Sequence, residues 1–268
     1  MKLPPTTNKQ RAILNLLYKH RFLNRIQIQA LMGHKDYKTI NVWLKDLRAN
    51  HYVEWIYSTD FAEKTKPAIY YLGLNGIRLL SAIADYPAEE LRKRYREPSR
   101  SRGFVDQWVL VADCCLNLAS LSTANQHYSY VLAAEYADPA SEYNFLVEDE
   151  SVHPQLGFVR QTTKRGEVVT SSFLIEVIDA TLPRYRLRKR LKDYLAFLED
   201  GDWDDLTGSD KPPLVLLVCP TLSDLIYAKR CTKRLLEDEW EDEDIHIRFT
   251  SSQALAKHGV MGAIWEKL

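Results

Sequence analysis

Two carboxylates three positions apart, Glu176 and Asp179, close the apolar stretch "SSFLIEVIDAT" at residues 171–181. Acids at the end of a buried strand suit a hard divalent cation such as magnesium. That ion takes oxygen ligands and needs their negative charge to offset its dehydration. A cation held there would polarise a phosphodiester and activate water against it. The same two residues serve equally as hydrogen-bonded strand-end groups or as ion-pair partners. Other chemistry is sparse. Cys114, Cys115, Cys219 and Cys231 contain no CxxC pair and read as reduced, buried thiols. The seven histidines are scattered, with His153 alone near the acids. No glycine-rich phosphate loop and no Ser or Cys nucleophile signature occurs. "EDGDWDDLTGSD", 199–210, alternates aspartates like a calcium loop. Asp205 stands where that loop needs glycine, however, and no Glu closes it, so it reads as solvated. The acidic run 237–244 reads the same way.

The 36 Lys+Arg and 36 Asp+Glu of the 268 residues give zero net charge. Their distribution is uneven. Through Gly103 there are 19 basic against 9 acidic residues, and the remainder holds 17 against 27. This asymmetry points to a basic module for a polyanion and an acidic module with another task. An apolar content of 46% excludes disorder as the default. "MKLPPTTNKQ" lacks the apolar core of a signal peptide, and no apolar run reaches the ~18 residues of a membrane span. A cytoplasmic protein is expected.

The basic half divides into recognisable elements. "NKQRAILNLLYKH", 8–20, sets Ile13, Leu14, Leu16 and Leu17 on one helical face, with Asn8 as its cap. "NRIQIQALMG" opens at Asn24 as a short helix that stops at Gly33. In the third helix Asp36 caps the start, and Ile40, Trp43, Leu44 and Leu47 form the inward stripe. Tyr37, Lys38, Asn41, Lys45 and Arg48 face outward. "HYVEWIYS", a polar tip and "PAIYYLGLNGIRLL" then form a hairpin running into a helix. A helix-turn-helix followed by a β-hairpin is a winged helix. Its third helix would enter the major groove of duplex DNA, while Lys64 and Lys66 on the wing would meet phosphates. "ELRKRYREPSRSRG", 90–103, supplies Arg92, Lys93, Arg94, Arg96, Arg100 and Arg102. It reads as a basic, solvated connector contacting phosphates.

Beyond it, 104–121 is an apolar-faced helix interrupted by Asp106, Asp113 and Asn117. Strands are expected at 129–136, 156–160, 167–178 and 213–219, then at "IHIRFTS". Helices are expected over "PRYRLRKRLKDYLAFLE", over 221–238 and at the C-terminus. The 213–219 strand is apolar on both faces, as at the centre of a helix-covered sheet. There is no internal repeat.

"TNKQRAILNLLYKHRFLNRIQIQAL", "YYLGLNG", "AAEY", "HPQLGF", "FLIEVIDAT" and "RLRKRLKDYL" together resemble the replication-relaxation family of plasmids and other mobile elements. The resemblance implies a winged helix joined to a restriction-endonuclease-like core, in which acids on neighbouring strands hold magnesium beside a lysine. Carried across, Glu135 matches an acidic position, and Lys189, Lys192 and Tyr194 fit the lysine-and-tyrosine pattern. Gln155 stands where the Pro-Asp aspartate belongs, after His153 and Pro154. Glu176 matches, but Ile178 replaces the next acid and Asp179 is displaced by one residue. A one-residue shift on a strand points a side chain to the opposite face. A neutral amide is a poor ligand for magnesium. The residues therefore imply a decayed site, with vestigial candidates Glu135, Gln155, Glu176, Asp179, Lys189 and Lys192.

The expected fold is α/β (α+β overall). A winged helix-turn-helix spans 1–87, a basic connector 88–103, and a nuclease-like mixed-sheet domain 104–268. The expected function is DNA binding in a mobile element, with no cofactor and with a protein partner or self-association through the second domain. Two rivals stand beside it: a magnesium-dependent nuclease, and a pure assembly adaptor that touches no DNA.

Overall fold

The computed structural model describes residues 3–57, 65–83, 86–138, 141, 143–147, 152, 154–164, 166–200, 203, 211–239 and 246–268. The chain divides into two compact units, Met1–Leu116 and Asn117–Leu268. The division falls inside one helix.

In the first unit, local capping decides where helices start. Helix α1 (Asn8–His20) is capped by Thr7, one residue before the expected Asn8. The Thr7 hydroxyl accepts from the Gln10 amide at 3.2 Å, and the Gln10 side chain accepts from the Thr7 amide at 2.8 Å. This reciprocal box satisfies two amides that have no helical partner. Asn24 and Gln27 repeat it at 3.0 Å each for α2 (Arg25–Leu31). Gly33, at φ +59, turns the chain away from α2. Asp36 caps α3 (Tyr37–Ala49), which buries Ile40, Leu44 and Leu47. Trp43, expected inside, is only half-buried and meets His34 edge-on at 5.2 Å. Strands β2 (Val53–Ile56) and β3 (Ile69–Leu72) form the wing. The short β1 (Leu23–Asn24) pairs with the other edge of β3, giving the antiparallel order β1-β3-β2. Helix α4 (Leu74–Ser81) crosses the chain at Tyr52 so closely that a Cβ on Gly76 would lie 2.3 Å from the Tyr52 carbonyl oxygen. That crossing explains the second glycine of "GLNG".

The expected connector is not a linker. It folds as α5 (Ala88–Arg94) and a 3₁₀ turn (Glu97–Ser99), with Arg94 and Glu97 buried in the first unit. Helix α6 (Arg102–Leu121) is long and apolar enough by composition to cross a membrane. Here Val105, Trp108, Val111, Ala112, Cys115 and Leu118 on it are buried in the protein. Its polar positions have protein partners. Asp113 accepts from the Gln27 side chain at 2.7 Å, and the Asn117 side chain accepts from the Val260 amide at 2.9 Å.

The second unit is built on a five-stranded mixed sheet: β4 (Gln126–Leu132), β5 (Leu156–Lys164), β6 (Glu167–Val177), β7 (Leu214–Cys219) and β8 (Ile247–Ser251), in that order. The first two pairings are antiparallel and the last two parallel. Each parallel step needs a crossover. Helix α7 (Arg184–Asp200) makes the first and α8 (Leu222–Glu239) the second, and α9 (Ser252–His258) follows β8. Leu174, Val215, Leu217 and Phe249 of the sheet share a core with Leu187, Leu191, Leu225 and Leu235 of the helices. The first expected strand, 129–136, ends at Leu132, and Ala133–Glu135 turn as a 3₁₀ helix. All four cysteines are free and buried. Burial pushes the Cys114 and Cys219 thiols up to about 12, which leaves them protonated and unreactive at neutral pH.

Gly157, from "HPQLGF", sits under the Tyr143 ring, whose hydroxyl donates to the Phe158 carbonyl at 2.7 Å. A Cβ at Gly157 would lie 2.7 Å from a ring carbon. Gly157→Ala is therefore expected to overpack this corner and lower stability by ~1–3 kcal/mol. Urea unfolding of the two proteins measures this; an unchanged midpoint refutes it.

Candidate nucleic-acid interface

Helix α3 presents Tyr37, Lys38, Asn41, Val42 and Lys45 to solvent, and Tyr37 and Val42 are more than half exposed. Lys38, Asn41, Val42 and Lys45 lie away from Ile40, Leu44 and Leu47, as a 3.6-residue period requires, while Tyr37, seven residues before Leu44, is exposed as the first residue of the helix. Arg48, one turn further, does not hang free. Its guanidinium lies 3.6 Å above the Trp55 ring of β2, and Trp55 in turn stacks on Tyr57 at 5.6 Å. At the other end of the helix the Arg25 guanidinium sits 5.6 Å from the Tyr37 ring. Arg25 and Arg48 both act on Tyr70 of β3, opposing the rise that burial imposes on its hydroxyl. Two guanidiniums thus flank one aromatic strip that joins α3 to the wing.

Such a strip suits duplex DNA. Polar side chains on a protruding helix reach base edges, and basic groups around them meet phosphates. Stacking on Trp55 fixes the Arg48 fork in advance, so binding restricts its side chain less. Arg25, Trp55 and Tyr57 do not stand out in the sequence as members of this strip. The alternation in "HYVEWIYS" puts Trp55 and Tyr57 on one strand face, which is the signal the sequence offers. Lys66 is exposed, whereas Lys64 lies outside the described residues.

The connector residues separate into two groups. Arg92, Lys93 and Arg96 are exposed, with Lys93 paired to Glu90. Arg94 is 2% exposed and donates twice to the Tyr18 carbonyl, at 2.8 and 3.1 Å. A guanidinium so enclosed cannot reach a phosphate, and Arg94 leaves the DNA-facing set. It belongs to a cluster around Glu97. There the Glu97 carboxylate takes Arg21 at 2.7 Å, Arg100 at 3.7 Å and Arg94 at 3.8 Å.

The carboxylate strand is occupied by protein groups. Glu176 is 1% exposed and forms an ion pair with Arg190 of α7. The basic helix supplies its partner, although the sequence does not single out Arg190 for that place. Gln155 uses both ends of its amide on Val177, accepting from the amide at 2.8 Å and donating to the carbonyl at 3.5 Å. That copies backbone pairing one step beyond β5, a role no aspartate fills, since a carboxylate has no proton to donate. Asp179 accepts from the Thr181 amide and hydroxyl, both at 2.8 Å, in the loop after β6. Glu135, on its 3₁₀ turn, caps back to the Leu132 amide at 3.2 Å. Lys189 and Lys192 are exposed on α7, while Tyr194 is buried. Among the described residues no three His, Cys, Asp or Glu form a group that could hold a metal ion. His153 and most of 199–210 and 237–244 lie outside the described residues.

Comparison with known proteins gives three results. The replication-relaxation family model matches residues 14–209. No curated protein matches the chain. Among solved structures, a mutant of MepR from a multidrug-resistant S. aureus clinical isolate aligns over 43% of this chain and 78% of that chain. Its identity is 20% and its TM-score 0.26, a likeness too low to bear on fold or function.

The Glu176–Arg190 pair is asymmetric, because Arg190 is 35% exposed and Glu176 is 1% exposed. Removing Arg190 strands a buried charge, so Arg190→Met should cost ~3–5 kcal/mol. Glu176→Gln lets Arg190 turn to water and should cost distinctly less. Equal losses in chemical unfolding would contradict this assignment.

Proposed function

Because the chain belongs to the replication-relaxation family, a replication-related protein of a mobile element, we propose that it acts as a cytoplasmic DNA-binding accessory protein. The winged helix holds duplex DNA, and the second unit serves assembly through a protein partner or a second copy. One observation carries the reading: the outward row of Lys38, Asn41 and Lys45 on α3 ends in Arg48, which is clamped on Trp55 of the wing. The groove-facing helix and its phosphate-facing hairpin therefore form one preset surface.

Catalysis is not part of this proposal. Arg190 supplies the positive charge that Glu176 needs, and the Gln155 amide is committed to the Val177 backbone. A cation at Glu176 would have to displace a guanidinium. The nuclease reading predicts magnesium-dependent cleavage of duplex DNA by the wild-type chain, and the accessory reading predicts none.

Replacing Lys38, Lys45 and Arg48 together by alanine is expected to abolish sequence preference. It should also flatten the slope of log Kobs against log salt by roughly 0.9 for each phosphate that is no longer neutralised. Trp55→Ala should weaken specific binding in the same direction by ~1–3 kcal/mol, by freeing Arg48. Wild-type affinity in the triple variant rules out this face.

Arg92, Lys93 and Arg96 reach phosphates without reading bases. Their joint replacement by glutamine should lower affinity for specific and scrambled duplexes by the same factor. A loss confined to the specific duplex would show base readout instead.

A further inference from the structure

We propose that the seam between α7 and α8 is a second DNA contact, one that grips the phosphate backbone of duplex DNA. The inference rests on the DNA-binding reading for the identity of the polyanion. The seam itself is defined by the second unit alone.

The unit that carries it is acidic in sequence, yet α7 holds six basic residues (Arg184, Arg186, Arg188, Lys189, Arg190, Lys192) and α8 four (Lys229, Arg230, Lys233, Arg234). Three of these are neutralised: Arg190 by Glu176, Lys229 by Glu266 at 3.0 Å and Lys233 by Glu237 at 3.9 Å. Among the described residues no carboxylate pairs with Arg184, Arg188, Arg230 or Arg234, and all four are exposed.

These four arginines are arranged in register. The Arg184 guanidinium lies 5.0 Å above the Tyr227 ring and donates to the Ser223 hydroxyl at 3.3 Å. One turn further, the positive charges of Arg188 and Arg234 both act on the Cys231 thiol, against the rise burial gives it. The Tyr227 hydroxyl donates back to the Arg184 carbonyl at 3.4 Å. Helices α7 and α8 are successive crossovers between the parallel strands β6, β7 and β8, so they run the same way. The i, i+4 spacings 184/188 and 230/234 then set their arginines in two rows along one seam. Each row repeats at i, i+4 (184 and 188; 230 and 234), a like-charge spacing that destabilises a helix. The free protein bears this repulsion, and a polyanion relieves it. Every position in the two rows is arginine, whose planar fork binds phosphate through two parallel hydrogen bonds. A rigid double row about 6 Å per turn, on helices ~8–10 Å apart, suits a stiff, regularly charged partner better than a flexible acidic peptide.

The test uses the full chain with Arg184, Arg188, Arg230 and Arg234 changed to glutamine, and measures duplex binding across a salt series. The salt slope should fall by roughly 2–4 units and affinity at low salt by about 10- to 100-fold, with base preference unchanged. An unchanged slope in the folded variant overturns the proposal while leaving DNA binding by α3 intact. If the wild type binds no DNA, the underlying reading fails as well. Should the fourfold variant not fold, Arg230→Gln with Arg234→Gln leaves α7 untouched and should flatten the slope by about two units; no change there is equally fatal. Polyglutamate of matched charge, added as competitor to the Lys38, Lys45 and Arg48 triple-alanine protein, should fail to displace DNA. Displacement as effective as that by unlabelled duplex would identify an acidic protein as the partner and refute a phosphate seam.

Discussion

One buried carboxylate organises the basic half of this protein. Glu97 has no exposed side-chain surface and is met by Arg21 from the end of α1, Arg94 from α5, and Arg100 just before α6. Three guanidiniums meet this one carboxylate, with Glu90 adding a second acid 3.8 Å from Arg94 and Arg100 partly in water, and burial opposes the positive charge that is left. Removal from water, reinforced by neighbouring Arg21, lowers Arg94 to about 10, so it stays charged at neutral pH. The excess is spread over π faces: Arg21 lies 4.6 Å from the Phe104 ring and 5.1 Å from that of Trp108, Arg100 4.6 Å from Phe104, and Arg94 5.3 Å from Tyr18. Cation–π contacts gain strength when desolvated. Arg21 itself stands at φ +67 and ψ −56, at the centre of a γ-turn in which the Phe22 amide donates to the His20 carbonyl at 2.7 Å. The consequence is that a segment with the composition of a linker becomes part of the winged-helix unit. Arg92, Lys93 and Arg96 remain outward beside it, as does Arg102, which pairs with Asp106.

The second unit solves a similar problem at the end of β6. A carboxylate at 176 lies on the helix-covered side of the sheet, in register with Leu217 of β7, where an unpaired charge is very costly. Arg190 enters from α7 to neutralise it, its guanidinium remaining partly in water. Beside it, Gln155 extends the antiparallel pairing of β5 and β6 with a side-chain amide. The acids flanking this point, Glu135 and Asp179, are each spent on a nearby backbone amide. Hydrogen bonds and one ion pair thus engage each of these three acids at the strand end. Along the seam between α7 and α8, no carboxylate among the described residues pairs with Arg184, Arg188, Arg230 or Arg234, and that difference separates structural charge from charge directed outward.

Much of this was determined by the sequence alone, and the successes share a cause. The caps Asn24 and Asp36, the inward Ile40, Leu44 and Leu47 of α3, the hairpin after it and the doubly buried β7 follow from local rules, namely capping side chains and a period of 3.6 or 2. Thr7 in place of Asn8 at the start of α1 and the half-buried Trp43 do not. The outward set Lys38, Asn41 and Lys45 is legible by those rules, since a helix fixes which residues oppose its apolar stripe; Tyr37 is exposed because it opens the helix. What tertiary structure alone decided are the choices among chemically identical residues. Nothing local distinguishes Arg94, enclosed against Tyr18, from Arg92 or Arg96 in solvent; the distinction comes from Glu97, Arg21 and α1, which lie far away in sequence or across a turn. Nothing local selects Arg190 over Arg186 or Lys189 for Glu176, because the selection depends on how α7 crosses the sheet. The end of β4 at Leu132, which removes Glu135 from the strand, and the pairing of Arg48 with Trp55 are decided the same way. An ion pair or a stack is set by the position of both partners, and the sequence states only one partner at a time.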